Sequence, residues 1–132
     1  MSRTIAVSVI AAALLGAIPA SAHHSLSIYD RSSYKTVEGT VKRFEWTNPH
    51  AQLALLVEGP NGATTEWSFE GGSTGRLQSG GFQRDAIVPG DKITVAYNPM
   101  RDGHIGGFFV AVTTSDGKTY SLERFRRLQR AD

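Results

Sequence analysis

Cysteine is absent from this chain, and that removes three classes of chemistry together. A disulfide scaffold, a thiol nucleophile and a cysteine-ligated zinc site are all excluded, so the domain must be held by its core alone. Histidine is scarce, at four residues, and methionine appears twice. Neither sign of charge dominates: 14 Lys and Arg stand against 12 Asp and Glu. So close a balance argues against nucleic acid as a partner, because that partner demands a strong basic field. Beyond residue 22 there is no apolar run near the roughly 20 residues of a membrane-spanning helix.

What is present begins with a leader. Arg3, the apolar run from Ile5 to Ile18, Pro19 and then Ala20-Ser21-Ala22 follow the order of a secretory signal peptide. Cleavage is expected after Ala22, which makes residues 1–22 a signal peptide and leaves a chain starting at His23-His24. The periplasm is the expected destination, with full secretion as the alternative and no transmembrane segment after processing. Losing Arg3 leaves 13 basic residues against the same 12 acidic ones.

The remainder reads as one domain. Residues 23–34 form an extended N-terminal segment, 35–124 the domain proper, and 125–132 a basic C-terminal tail that can turn helical. Strand alternation runs over Thr36–Phe44, Ala51–Glu58 and Thr64–Phe69, the last two joined by an Asn61-Gly62 hairpin. Residues 71–81 interrupt it with one short helix, Ser73 as N-cap, Leu77 as the apolar contact and Gly80-Gly81 as the stop. Strands return at Ile93–Tyr97, at Ile105–Val112 and, past the Asp116-Gly117 turn, at Lys118–Leu122. Three strands, a helix and two more strands is the order of the OB-like Greek-key barrel. The expected fold is therefore all-β, a small OB-like barrel of five to six strands, with an open β-sandwich as runner-up.

Chemistry centres on the histidines. His50 lies in the first inter-strand loop and His104 beside the fourth-to-fifth strand loop, two loops that share a rim in such barrels. The segment from His23 is long enough to cross to that rim, at about 3.3 Å per residue. An N-terminal histidine chelates through its amine and its imidazole, and nitrogen ligands favour copper(II) among divalent ions. His23, His24, His50 and His104 are accordingly the candidate metal ligands, with Met100 a weaker soft one. Each also has a plain reading: a solvated chain end for His23-His24, a turn residue for His50, an exposed strand start for His104.

The leading expectation is a periplasmic binding protein that holds copper for storage or delivery. The alternative is a metal-free OB-like module that binds a peptide, glycan or periplasmic protein partner through Trp46, Tyr97 and Arg101. Most aromatics are assigned to the core, and the C-terminal arginines to a solvated tail. Binding is favoured over catalysis: the acidic residues are dispersed, with no obvious acid/base pair, and no histidine is recognisably matched to a serine nucleophile.

His23-His24-Ser25-Leu26, Gly39-Thr40-Val41, Trp46-Thr47-Asn48-Pro49-His50, Glu70-Gly71-Gly72, Pro89-Gly90-Asp91 and Asn98-Pro99-Met100-Arg101-Asp102-Gly103 together resemble a family of small secreted bacterial proteins. That family is known only as a domain of unknown function. The resemblance spans nearly all of residues 23–132 and implies export and a small β domain. It implies no activity and no functional residue.

Overall fold

The computed structural model describes residues 26–131. His23, His24 and the expected cleavage site lie outside the described residues. A one-turn 3-10 helix, Leu26–Ile28, comes first. The strands are β1 (Lys35–Glu45), β2 (Gln52–Glu58), β3 (Thr64–Glu70), β4 (Lys92–Pro99), β5 (Gly107–Thr114) and β6 (Thr119–Ser121). Helix α1 (Thr74–Ser79) separates β3 from β4, and α2 (Glu123–Ala131) closes the chain. The fold is all-β, as its turn chemistry and strand alternation predict.

Strand order is β3-β2-β1-β4-β5-β6, and β3 also pairs with β5. That extra pairing, parallel and confined to Phe69–Gly107 and Glu70–Phe108, joins the first five strands into a ring of hydrogen-bonded neighbours. A ring is what a five-stranded barrel requires and an open sandwich lacks. It is possible because β1 is long and serves both sides. Residues 35–40 pair with β4, residues 40–45 pair with β2, and the register breaks between Val41 and Arg43.

Inside the ring lie Leu53, Leu55, Phe69, Val95, Phe109 and Val112, with Leu77 of α1 and Phe82 plugging one opening. Ser73 caps α1 by accepting the Arg76 N–H at 3.3 Å, which satisfies one of the orphan donors of the first turn. The C-terminal segment, expected as a basic tail, is docked. Phe125 is buried against Ala96, Val110 and Ala111 on the outer face of β4 and β5, and Tyr34 meets its ring edge-on at 5.0 Å. Burying one such side chain contributes about 2–3 kcal/mol.

One strand boundary differs from expectation. The apolar run from Ile105 enters β5 only at Gly107, leaving Ile105 exposed. Gly106 explains the delay: its φ is +93°, and a Cβ there would stand 2.2 Å from the Ser68 carbonyl oxygen. The chain crosses β3 too closely for any side chain at that point.

Candidate functional site

Three of the sequence motifs meet at one end of the ring. The Asn48–Pro49 turn, which contains a cis peptide bond, is tied to α1 because Asn48 Oδ1 accepts both the Thr74 N–H at 3.0 Å and its hydroxyl at 3.1 Å. The β2–β3 ladder continues past the strand ends. Ala51 donates to Gly72 O at 3.0 Å, and Gly71 donates to Ala51 O at 2.8 Å. His50 is thereby fixed beside the last residue of β3, and its Nδ1 contacts Glu70 Oε1.

The N-terminal segment arrives at the same place. Tyr29 bridges to Met100 in an antiparallel pair. Asp30 N donates to Pro99 O at 2.8 Å, Arg101 N to Ile28 O at 2.9 Å, and Asn98 Nδ2 to Ser33 O at 2.7 Å. So anchored, Tyr29 donates its hydroxyl to Glu70 Oε2 at 2.7 Å. Glu70 thus has a partner on each oxygen, Tyr29 on one side and His50 on the other. Phe108 packs beside both, 5.7 Å from the Tyr29 ring and 6.4 Å from the imidazole. Burial, reinforced by the Glu70 carboxylate, raises the Tyr29 phenol above its ordinary range, so it remains a donor at neutral pH. The Glu70 side chain is 15% exposed and that of His50 30%, which leaves the imidazole accessible.

The residues proposed from sequence are only partly brought together. His104 stands apart: it is exposed, its Nδ1 lies 2.9 Å from Asp102 Oδ2, and its N–H donates to the same carboxylate at 3.0 Å. Among the described residues no group of three or more His, Asp or Glu could hold a metal ion, so the His104–Asp102 and His50–Glu70 pairs do not merge into one centre. Tyr97 is not a surface contact but a core residue, 6% exposed, with the Phe69 ring at 5.2 Å and that of Trp67 at 6.1 Å. A bulge between Ala96 and Tyr97 shifts the register of β4 there. Trp46 is half-buried and packs on Phe44 at 6.1 Å. Arg101 spends its Nε on the Ser27 carbonyl at 3.0 Å, clamping the N-terminal segment.

Sequence reading missed Glu70 and Tyr29. The signal for Glu70 was available: equal steps from the Asn61-Gly62 turn pair Gln52 with Glu70, which sets the carboxylate diagonal to position 50. Tyr29 had no such signal, because the partners that place it in the site, Glu70 and Met100, are 41 positions or more away. The stretch Gly71-Gly72-Ser73-Thr74-Gly75 also has the spacing of a serine nucleophile elbow between strand and helix. Ser73 nevertheless adopts an unstrained extended conformation (φ −61°, ψ 159°) and serves as the α1 cap.

Among known families, the model described as a family of unknown function (DUF6152) matches residues 11–109. No curated protein matches the chain.

Proposed function

The chain belongs to the family of unknown function DUF6152, and from that premise we propose that it is an exported protein that binds a transition metal, copper foremost, for storage or delivery. The observation that carries this reading is the Tyr29–Glu70–His50 relay. A metal-binding histidine characteristically gives one ring nitrogen to a carboxylate, which fixes its tautomer and aim and raises the basicity of the other nitrogen. Glu70 stands in that relation to His50 Nδ1, which leaves Nε2 as the coordinating atom. Tyr29 in turn holds Glu70 in place.

One histidine does not make a site, and the remaining ligands come from the chain start. Cleavage after Ala22 in the periplasm would put an amine and an imidazole at His23, with His24 beside it. Only five residue steps separate His24 from Tyr29, at most about 18 Å of extended chain, and Tyr29 is itself bonded to Glu70. An amine and two or three imidazoles form a nitrogen-rich set that suits copper(II), with nickel and zinc behind. His104, held in its own turn, is not needed.

Calorimetry with copper(II) on protein beginning at His23 tests the reading. His50→Ala and an added residue before His23 should each weaken binding by about tenfold or more, and Glu70→Gln by about 10–100-fold, the usual effect of losing a supporting partner. Copper affinity indifferent to all three changes would rule this site out.

A further inference from the structure

A second feature at the same end lies outside the relay and the expected ligand set. A groove of about 610 Å³ runs between the N-terminal segment, α1 and α2, with Phe108 and Leu122 as its apolar lining. Arg76 of α1 stands on one side, and Arg126 and Arg127 of α2 on the other, all three exposed. Gly72 lies between the lining and α1: a Cβ there would stand 3.2 Å from Arg76 Cβ and 3.8 Å from Leu122 Cδ1. Among the described residues that line the groove the one carboxylate is Glu123. Its carboxyl is held below the ordinary range by the hydrogen bond and charge of Arg127, with Arg126 and Arg130 adding to the effect. One carboxylate thus answers three arginines of α2, and Arg76 forms no ion pair among the described residues. Arg31, also in the lining, is already engaged within the protein and adds nothing to this surplus.

The surplus is gathered by folding. Helix α2 carries four arginines and one glutamate, and Phe125, buried against Ala96, Val110 and Ala111, holds it on the outer face of β4 and β5. A solvated tail would let those guanidinium groups drift apart. Docked, the pair at 126 and 127 stands across the groove from Arg76. Like charges brought together repel, and an anionic partner turns that cost into affinity.

We propose that this groove docks an extended segment of a partner protein in which acidic and apolar residues alternate. Successive side chains of an extended chain point to opposite sides, so one set turns down to Phe108 and Leu122 while the other turns up to the guanidinium groups on the two rims. Guanidinium groups grip carboxylates with paired, charge-assisted hydrogen bonds. A single small anion would leave the apolar lining uncovered, and a flat bilayer surface would not reach it. The groove adjoins the relay through Phe108, which packs beside both Tyr29 and His50, yet its use as a docking site does not depend on a metal.

The test is fluorescence anisotropy of short labelled peptides titrated with the full exported chain at low salt, beside vesicles of phosphatidylcholine with and without phosphatidylglycerol. One peptide alternates glutamate and leucine, a second glutamine and leucine, and a third is glutamate alone. The glutamate–leucine peptide should bind more tightly than either of the others, and added salt should weaken the complex. Arg76→Glu and Arg126→Glu, both at exposed positions on opposite rims, should each weaken it by about tenfold or more. Phe125→Ala keeps every arginine but undocks the helix, and should weaken it comparably. Binding that survives both charge reversals, or a glutamine–leucine peptide held as tightly, overturns the proposal. Equal affinity for the glutamate-only peptide, or binding unchanged in Phe125→Ala, reduces the face to loose surface charge and overturns it as well. Capture by phosphatidylglycerol vesicles with the same arginine dependence, and no peptide binding, assigns the face to a membrane instead.

Discussion

Replacing Gly71 with alanine should damage this domain far more than so small a change suggests. A Cβ at that position would lie 2.2 Å from Cε1 and Cζ of Phe109, more than about 1 Å inside ordinary carbon–carbon contact. The ring cannot step aside easily. Phe109 is fully buried, with Phe82 at 6.1 Å and Phe44 at 6.5 Å. Forcing it off its rotamer costs about 1–3 kcal/mol by overpacking. Moving the backbone instead strains the Gly71 N–Ala51 O and Ala51 N–Gly72 O bonds, each worth about 0.5–1.5 kcal/mol. Either route leads to a loss of about 1–3 kcal/mol, which for a domain of this size lowers the melting temperature by on the order of 10 °C.

Gly75→Ala is the natural control, since a Cβ there meets nothing within 4 Å. In a helix it should add about 0.5–1 kcal/mol. Thermal and urea unfolding at neutral pH measure both variants, and Phe109→Leu completes a double-mutant cycle. The smaller side chain should relieve the clash, so the double variant loses at least about 1 kcal/mol less than the sum of the singles. A Gly71→Ala protein that melts within about 4 °C of the parent would refute the steric argument.

Tyr29→Phe removes the donor from one Glu70 oxygen and should cost about 1.5–3 kcal/mol in urea unfolding, as loss of a hydrogen bond to a charged group does; a cost under about 0.5 kcal/mol would show that the bond contributes little. The hydroxyls of Ser32 and Ser33 lower the Asp30 carboxyl from 3.8 to about 2. A depressed carboxylate stabilises above its unfolded pKa and stops doing so as pH falls through its folded one. The gap in urea midpoint between the parent and Asp30→Ala should therefore hold steady from pH 7 to about 5 and close between about pH 4 and pH 2; a gap that persists at pH 2 would contradict this.

The strands were legible because their punctuation is local. Asn61-Gly62, Gly90-Asp91 and Asp116-Gly117 mark turns by their own backbone preferences, and Ser73 with Leu77 marks α1 by capping and burial. The ring-closing pairing was not legible in the same way. It involves two residues of β3 and two of β5, joined because a glycine at 106 permits the crossing, and no local pattern announces it. Tyr97 alternated as a strand residue should, but alternation cannot say which face turns inward once a bulge shifts the register after Ala96. The C-terminal arginines read as a solvated run because Phe125 is a weak apolar signal among them, yet that one buried ring docks the helix. For the site, position 50 could be found from its loop, whereas Glu70 needed a register and Tyr29 needed the fold.

The two ends of the ring are built by different rules, and the difference bears on where function lies. At the end that carries Glu38, Glu58, Lys92 and Ser115, a shallow cavity of about 400 Å³ is bordered mainly by short side chains. The connections there are backbone turns: Gly59 N bonds to Ala63 O, Asp91 N to Val88 O and Gly117 N to Thr114 O, and the 88–91 turn also exchanges backbone bonds with Val41 of β1. At the opposite end Asn48 reaches Thr74, Tyr29 reaches Glu70, Asn98 reaches Ser33 and Arg101 reaches Ser27. Side chains that join distant segments in place of simple turns are costly to assemble, since each must order groups far apart in sequence. A domain that only had to fold could close both ends with local turns. The end that does otherwise holds the accessible imidazole with its carboxylate support, so the proposed metal site rests on framework that folding alone does not require.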